Sequence, residues 1–112
     1  MSTIKSITFT PDQDCTVVVT CTYECQRTTS GTDWSTSGNT GRSRAFVTQD
    51  GTTTYGQDRY MSGTRQSQSV QMQAALVGGL SAEVGLDGAV TGLVTCGWWN
   101  TQVQAELKKD ER

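Results

Sequence analysis

Four cysteines and one pair of aspartates are the residues of this chain most suited to chemistry. The cysteines are Cys15, Cys21, Cys25 and Cys96, and the aspartates are Asp12 and Asp14. Thiolates serve as nucleophiles and as zinc ligands, and closely spaced carboxylates bind calcium. The sequence has no histidine, so the most common general base and metal ligand is missing.

The spacing of the cysteines limits what they can do. Three of them fall on one predicted strand, residues 15–25, where neighbouring cysteines are about 13 to 20 Å apart at roughly 3.3 Å per residue. A disulfide needs Cα atoms within about 7 Å, so at most one of the three can reach the fourth, and Cys21–Cys96 is the candidate pair. The favoured interpretation is four buried thiols packed as small apolar residues. A four-cysteine zinc site and a reactive cysteine are the remaining alternatives.

Sequence motifs for catalysis are absent. The sequence contains no G-x-S-x-G, phosphate-binding loop, HExxH or dinucleotide fingerprint. No carboxylate pair marks a glycosidase, and the D-x-D pair alone is a weak calcium signal. We therefore predict a protein that is not an enzyme and that has no catalytic residue, no cofactor and no metal site.

Tryptophans and arginines are the candidate binding residues. Trp34 lies in a Ser/Thr/Gly-rich segment, where it either anchors a partner or sugar or folds back over the core. Trp98 and Trp99 are adjacent on a predicted strand, so one ring faces the core. The other ring either packs in a core on the second face or is an exposed interface anchor. Arg42 and Arg44, with Arg59 and Arg65, make residues 37–66 net positive, which suits either an acidic partner or a solvated face.

Length and composition indicate one small β domain, residues 1–112. The net charge is −2, which argues against nucleic-acid binding. The sequence has no apolar run of 18 residues, so no membrane span is predicted. The N-terminus lacks the apolar segment of a secretory signal, which predicts synthesis in a host cytoplasm. Thr, Ser, Gln and Gly supply 51 of the 112 residues, whereas Leu, Ile, Val and Phe supply 19. We expect a thin core whose stability depends on disulfides or neighbouring subunits.

Alternating polarity predicts the first strands. Residues 3–9 form a plausible strand, and in residues 15–25 the odd positions are apolar or cysteine while most even positions are polar. A long loop or weak hairpin is expected over residues 27–43. Residues 44–49 and 52–60 should pair across a turn at Asp50-Gly51, with Phe46 opposite Tyr55.

The second half of the chain predicts further hairpins. Residues 70–76 and 80–86 share one apolar parity, which favours a three-residue loop at 77–79 with Met72 opposite Val84; a strand bent at the glycines is the alternative. Asp87-Gly88 predicts the next turn. A last strand covers about 89–105, with bulges expected at Gly92, at Gly97 and where the parity changes near Trp98-Trp99. Residues 106–112 are predicted to form a charged tail or one helical turn.

These elements predict an all-β fold: a single antiparallel β-sandwich, or barrel-like domain, of about seven strands. Cys21, Trp34 and Cys96 resemble the Cys…Trp…Cys spacing of immunoglobulin domains. Val94 stands two residues before Cys96, where that family usually has Tyr, so the spacing supports a sandwich rather than membership of the family.

In size and composition the chain resembles small phage virion accessory proteins, such as capsid decoration, tail or baseplate subunits. That resemblance implies a structural subunit of the virion that contacts capsid or tail proteins and occurs in symmetric or homo-oligomeric copies. The alternative is a carbohydrate- or cell-surface-binding module that uses exposed tryptophans. An exposed aromatic among hydrogen-bonding groups in a concave site would favour the second hypothesis.

Overall fold

The computed structural model describes residues 1–28, 40–92 and 94–109, and within these ranges the regular secondary structure is all β-strand. The eight strands are β1 (Ser2–Phe9), β2 (Cys15–Thr28), β3 (Thr40–Gln49), β4 (Thr52–Tyr55), β5 (Arg59–Tyr60), β6 (Gln66–Leu76), β7 (Ala82–Thr91) and β8 (Thr95–Lys109). The all-β prediction is confirmed, with eight strands instead of about seven. The predicted loop over 27–43 is strand at both ends, and residues 29–39 lie outside the described ranges.

The strands form two antiparallel sheets. The five-stranded sheet has the order β1-β7-β3-β4, with β5 also paired to β3, and the three-stranded sheet has the order β6-β2-β8. Side chains from both sheets meet in one core, among them Val17, Val19, Ala45, Val84 and Leu86. This arrangement is consistent with a β-sandwich.

Strand β2 is the centre of the three-stranded sheet and follows the predicted alternation. Its odd residues from Cys15 to Cys25 are all buried, whereas Thr22 on the other face is exposed. The predicted turn at Asp50-Gly51 is also confirmed. Both residues have positive φ (52° and 75°), and Phe46 pairs with Tyr55. The returning segment, however, is interrupted after Tyr55 and resumes as β5.

The predicted hairpin of residues 70–76 and 80–86 is wrong. Strand β6 pairs with β2, and β7 lies between β1 and β3 in the other sheet, so Met72 is not opposite Val84. The connection crosses from one sheet to the other instead of folding back beside its own strand. Most even-numbered residues of both strands are buried because each strand packs one face against the shared core. β6 does so from one sheet and β7 from the other.

The predicted turn at Asp87-Gly88 is also wrong. Both residues lie inside β7, where Asp87 pairs with Thr3 and Arg44 of the flanking strands. The glycine has a packing role, because a Cβ atom on Gly88 would lie 2.5 Å from Cζ2 of Trp98. Asp87 is buried on the opposite face of β7 from Leu86, where it accepts a hydrogen bond from the Thr3 hydroxyl and lies opposite Arg44.

Strand β8 extends further than expected. Glu106–Lys109, predicted as part of a tail, continue the pairing with β2 as far as Cys15. Residues 89–91 belong to β7 instead, and Gly92 (φ 85°) lies in the connection that follows it. The expected bulge near the tryptophans is present, because the register shifts where Asn100 and Thr101 face the single residue Tyr23. Gly97 is not a bulge and is paired with Gln26.

Candidate functional site

The four cysteines are buried or half-buried, and none of them forms a disulfide. The candidate Cys21–Cys96 bond is wrong because Cys21 pairs with Val103, whereas Cys96 pairs with Arg27, six residues further along β2. Burial raises the pKa of Cys21 to about 11 and also raises the pKa of Cys25 and of Cys96. Raised pKa values disfavour the thiolate form that a nucleophile or a zinc ligand requires.

The D-x-D pair takes part in ordinary structural contacts. Asp12 forms an ion pair with Lys109 at 3.1 Å, and Asp14 accepts a hydrogen bond from the backbone N–H of Gly78 at 2.9 Å. Across residues 1–28, 40–92 and 94–109, no three His, Cys, Asp or Glu side chains are grouped as a metal site. The same ranges hold no helix of the length and hydropathy needed to cross a membrane.

The two adjacent tryptophans face opposite sides of the three-stranded sheet, as alternation requires. Trp98 is half-buried and packs against the core, and its indole N–H donates to Oγ of the buried Ser43 at 3.0 Å. Trp99 lies on the outer face and is 38% exposed. The structure therefore places only Trp99 where a partner could reach it, while Trp34 lies outside the described residues.

The four arginines do not form one basic surface. Arg42 and Arg44 lie on the outer face of the five-stranded sheet, because they alternate with the buried Ser43 and Ala45. Arg59 donates to the backbone carbonyl of Ser69 at 2.9 Å, at the edge of the three-stranded sheet, and Arg65 lies beside Trp99.

The outer face of the five-stranded sheet combines arginines with exposed tyrosines. Tyr55 and Tyr60 are 47% and 56% exposed, and they pair with Phe46 and Arg42, respectively. The guanidinium of Arg44 lies 3.5 Å from the centre of the Tyr55 ring. We call this surface, made of Arg42, Arg44, Tyr55 and Tyr60, the Arg/Tyr face.

Carboxylates balance the charge of the Arg/Tyr face. Arg42 forms an ion pair with Asp58 at 2.9 Å. Asp87 is opposite Arg44 in the β3–β7 pairing. Burial raises the pKa of Asp87, an effect opposed by a hydrogen bond from Thr3 and by the charge of Arg44. The face is therefore amphipathic rather than strongly basic, which weakens the expectation of an acidic partner.

A shallow trough lies on the outer face of the three-stranded sheet. Its volume is about 540 Å³. It is lined by Thr22, Tyr23, Glu24, Arg59, Ser67, Gln68, Ser69, Asn100 and Gln102. We call it the β6-β2-β8 trough. Tyr55, Tyr60, Glu24 and Asn100 were not predicted as site residues, because their roles depend on pairings between distant strands. The only sequence signal was the predicted position of Tyr55 opposite Phe46.

No family model matches this chain, and no curated protein or solved structure has significant similarity to it. The exposed outer faces of the two sheets are the candidate functional surfaces.

Proposed function

We propose that the protein is a non-enzymatic subunit of a larger assembly and that it acts through protein–protein contacts made by the Arg/Tyr face. The observation that carries this proposal is the exposure of Tyr55 and Tyr60 on a sheet face that also presents Arg42 and Arg44. Tyrosine and arginine are enriched at the energetically dominant positions of protein interfaces. Both aromatic rings are held on paired strands, so little order is lost when a partner covers them.

The charge balance of the face suits contact between copies of this chain. Each arginine has an acidic neighbour, Asp58 or Asp87, so two such faces can meet without net repulsion. A symmetric contact of this kind gives closed homo-oligomers. A more specific hypothesis is that the protein is a phage virion accessory protein, either a capsid decoration subunit or a tail subunit present in many copies. Its support is the size, the Thr/Ser/Gln/Gly-rich composition and the all-β fold.

Light scattering on the purified protein tests this proposal. From about 1 µM to about 1 mM we expect a defined oligomer whose population and melting temperature rise with concentration, because association stabilises the folded state by mass action. Changing Tyr55 and Tyr60 to Ala should shift the protein to monomer. Trp99→Ala is the matched control, since it removes an exposed aromatic from the opposite sheet.

A monomer over the whole concentration range, with a constant melting temperature, would contradict self-association. An oligomer that persists in the double tyrosine variant would place the interface elsewhere. The virion hypothesis has a separate test. Phage particles that lack this protein are prepared, the purified protein is added back, and its co-sedimentation with the particles is measured.

A further inference from the structure

We propose that the β6-β2-β8 trough and the neighbouring Trp99 ring together form a saccharide-binding site. Trp99, which pairs with the trough residue Glu24, supplies an aromatic surface beside the trough, and the trough supplies hydrogen bonds to sugar hydroxyls. This site lies on the sheet opposite the Arg/Tyr face and does not depend on the proposed assembly role. A saccharide combines hydroxyl groups around its rim with apolar C–H faces, so its site needs convergent polar groups beside an aromatic ring.

Cross-strand register creates the trough. Thr22 of β2 lies between Ser69 of β6 and Gln102 of β8, and Glu24 lies between Ser67 and Trp99 in the adjacent row. Serine and threonine have short side chains, so they form a floor. The longer Glu24 and Gln102 side chains rise beside that floor, with Arg59 at the margin. The depression is therefore a consequence of side-chain length on the outer face of the sheet.

The β-bulge in β8 positions two of the trough residues. Asn100 has φ of 52°, a conformation that asparagine adopts more readily than most residues. Its side-chain amide donates to Oε2 of Glu24. Without the extra residue, the strand beyond Trp99 would keep its parity and would present Val103 outward instead of Gln102. The bulge thus gives the outer face its polar side chains.

The carboxylate of Glu24 is held before any ligand arrives. Nε of Arg65 lies 3.4 Å from Oε1 of Glu24, and the guanidinium of Arg65 lies 4.1 Å from the centre of the Trp99 ring. A fixed carboxylate is an acceptor that can bind two neighbouring hydroxyls of one sugar. Arg65 is half-exposed, so a sugar ring can displace its guanidinium from Trp99, and the hydrogen bond from Asn100 still holds Glu24 in place.

The balance of donors and acceptors favours a saccharide over other ligands. Hydroxyl and amide groups from Thr22, Ser67, Ser69, Asn100 and Gln102 both donate and accept hydrogen bonds. A phosphate or nucleic-acid site would need an excess of cationic donors instead. Glu24 is the only carboxylate that lines the trough among the described residues, so the site lacks the carboxylate pair needed for hydrolysis. Recognition without cleavage is the expected chemistry.

The test uses the full chain and a panel of soluble oligosaccharides: neutral hexose and N-acetylhexosamine oligomers, and uronic-acid- or sialic-acid-containing ones. Binding is followed by NMR, with shifts expected at the Trp99 indole N–H and at the backbone of residues 22–24 and 100–102. Trp99→Ala should weaken binding by about tenfold or more, as expected for loss of a stacked aromatic. Glu24→Gln, which keeps the shape of the side chain, should weaken it by about fivefold.

Two further variants separate binding from folding. Ser69→Trp places a bulky ring on an exposed position of the trough floor, so it should abolish binding. The far-UV circular dichroism spectrum of the variant should be unchanged. Val77→Ala removes an exposed apolar side chain that belongs to neither the trough nor the Arg/Tyr face, and it should change the affinity less than about twofold.

Either of two results would overturn the proposal. One is the absence of shifts with every member of the panel at millimolar concentration. The other is binding that survives in the well-folded Ser69→Trp variant, because the saccharide would then occupy another surface. Neither result changes the light-scattering outcome, so failure of the saccharide site is distinguishable from failure of the assembly role.

Discussion

Replacing Gly88 with alanine should destabilise the protein by about 3 kcal/mol, because the added methyl group meets the Trp98 ring and displaces it from its hydrogen bond. The new Cβ would lie 2.5 Å from Cζ2 and 2.8 Å from Cη2 of Trp98, and 3.0 Å from Cδ1 of Ile4. Carbon atoms pack best at about 3.5–4.0 Å, so the indole must retreat by about 1 Å. Gly88 lies inside β7 between β1 and β3, so its backbone has little room to move instead.

The hydrogen bond of Trp98 makes this retreat costly. Its indole N–H donates to Oγ of Ser43 at 3.0 Å, and Ser43 is fully buried. A shift of about 1 Å breaks the bond and leaves a buried hydroxyl without that partner, at a cost of about 1–3 kcal/mol. Overpacking of this size adds about 1–3 kcal/mol to that cost. Alanine also lowers the conformational entropy of the unfolded chain, which stabilises the folded protein by about 0.5–1 kcal/mol.

Urea denaturation followed by circular dichroism measures the effect, and Gly97→Ala is the matched control. A Cβ on Gly97 would also lie 2.5 Å from a tryptophan ring, that of Trp99, but this ring is on the outer face and can move into solvent. We expect the control to change the stability by less than about 1 kcal/mol, since the lost Arg65 stacking and the entropy gain nearly cancel.

A double-mutant cycle identifies the cause. In a Ser43→Ala background the hydrogen bond is already lost, so Gly88→Ala should cost about 1 kcal/mol less than in the native sequence. Equal losses for Gly88→Ala and Gly97→Ala would contradict a specific clash with the Trp98 ring, and an unchanged cost in the Ser43→Ala background would contradict the role of its hydrogen bond.

The remaining predictions concern a turn, a carboxylate and the thiols. Gly51→Ala should lower the free energy of unfolding by about 1 kcal/mol in urea titrations, because φ at this position is 75° and a Cβ is strained there. Asp87→Asn should raise the urea midpoint at pH 7 and lose this advantage below about pH 4. Burial raises the folded-state pKa of Asp87, so its ionisation weakens the native protein as the pH rises; an advantage that grew towards low pH would contradict this. Native protein at pH 8 should react slowly with a thiol reagent at Cys21, whose pKa is about 11, whereas denatured protein should show four reactive thiols.

Local patterns predicted the parts of the fold that depend on neighbouring residues. The alternation in residues 15–25 identified β2 and its buried face, and Asp50-Gly51 identified the turn and the pairing of Phe46 with Tyr55. The parity change near Trp98 correctly indicated a bulge. Each of these features is determined within about ten residues of sequence, where turn geometry and side-chain alternation leave few choices.

Pairing between strands could not be read in the same way. The apolar parity of residues 70–86 fits a hairpin as well as two strands that face one core from different sheets, and the second arrangement occurs. Asp87-Gly88 has the composition of a turn, but Gly88 is required by Trp98, ten residues later in the chain. Short-range composition does not show which distant side chain a glycine must accommodate.

The two candidate sites could not be predicted from the sequence for the same reason. Glu24, Ser67 and Trp99 form one row only because β2 pairs with β6 on one side and β8 on the other. The Arg/Tyr face likewise requires β3 to pair with both β4 and β5. Because the two sheets share one core, the outer face of one is separated from the outer face of the other by the packed interior. A substitution on one face should therefore leave the other intact, so single substitutions can test the proposed assembly role and the proposed saccharide site separately.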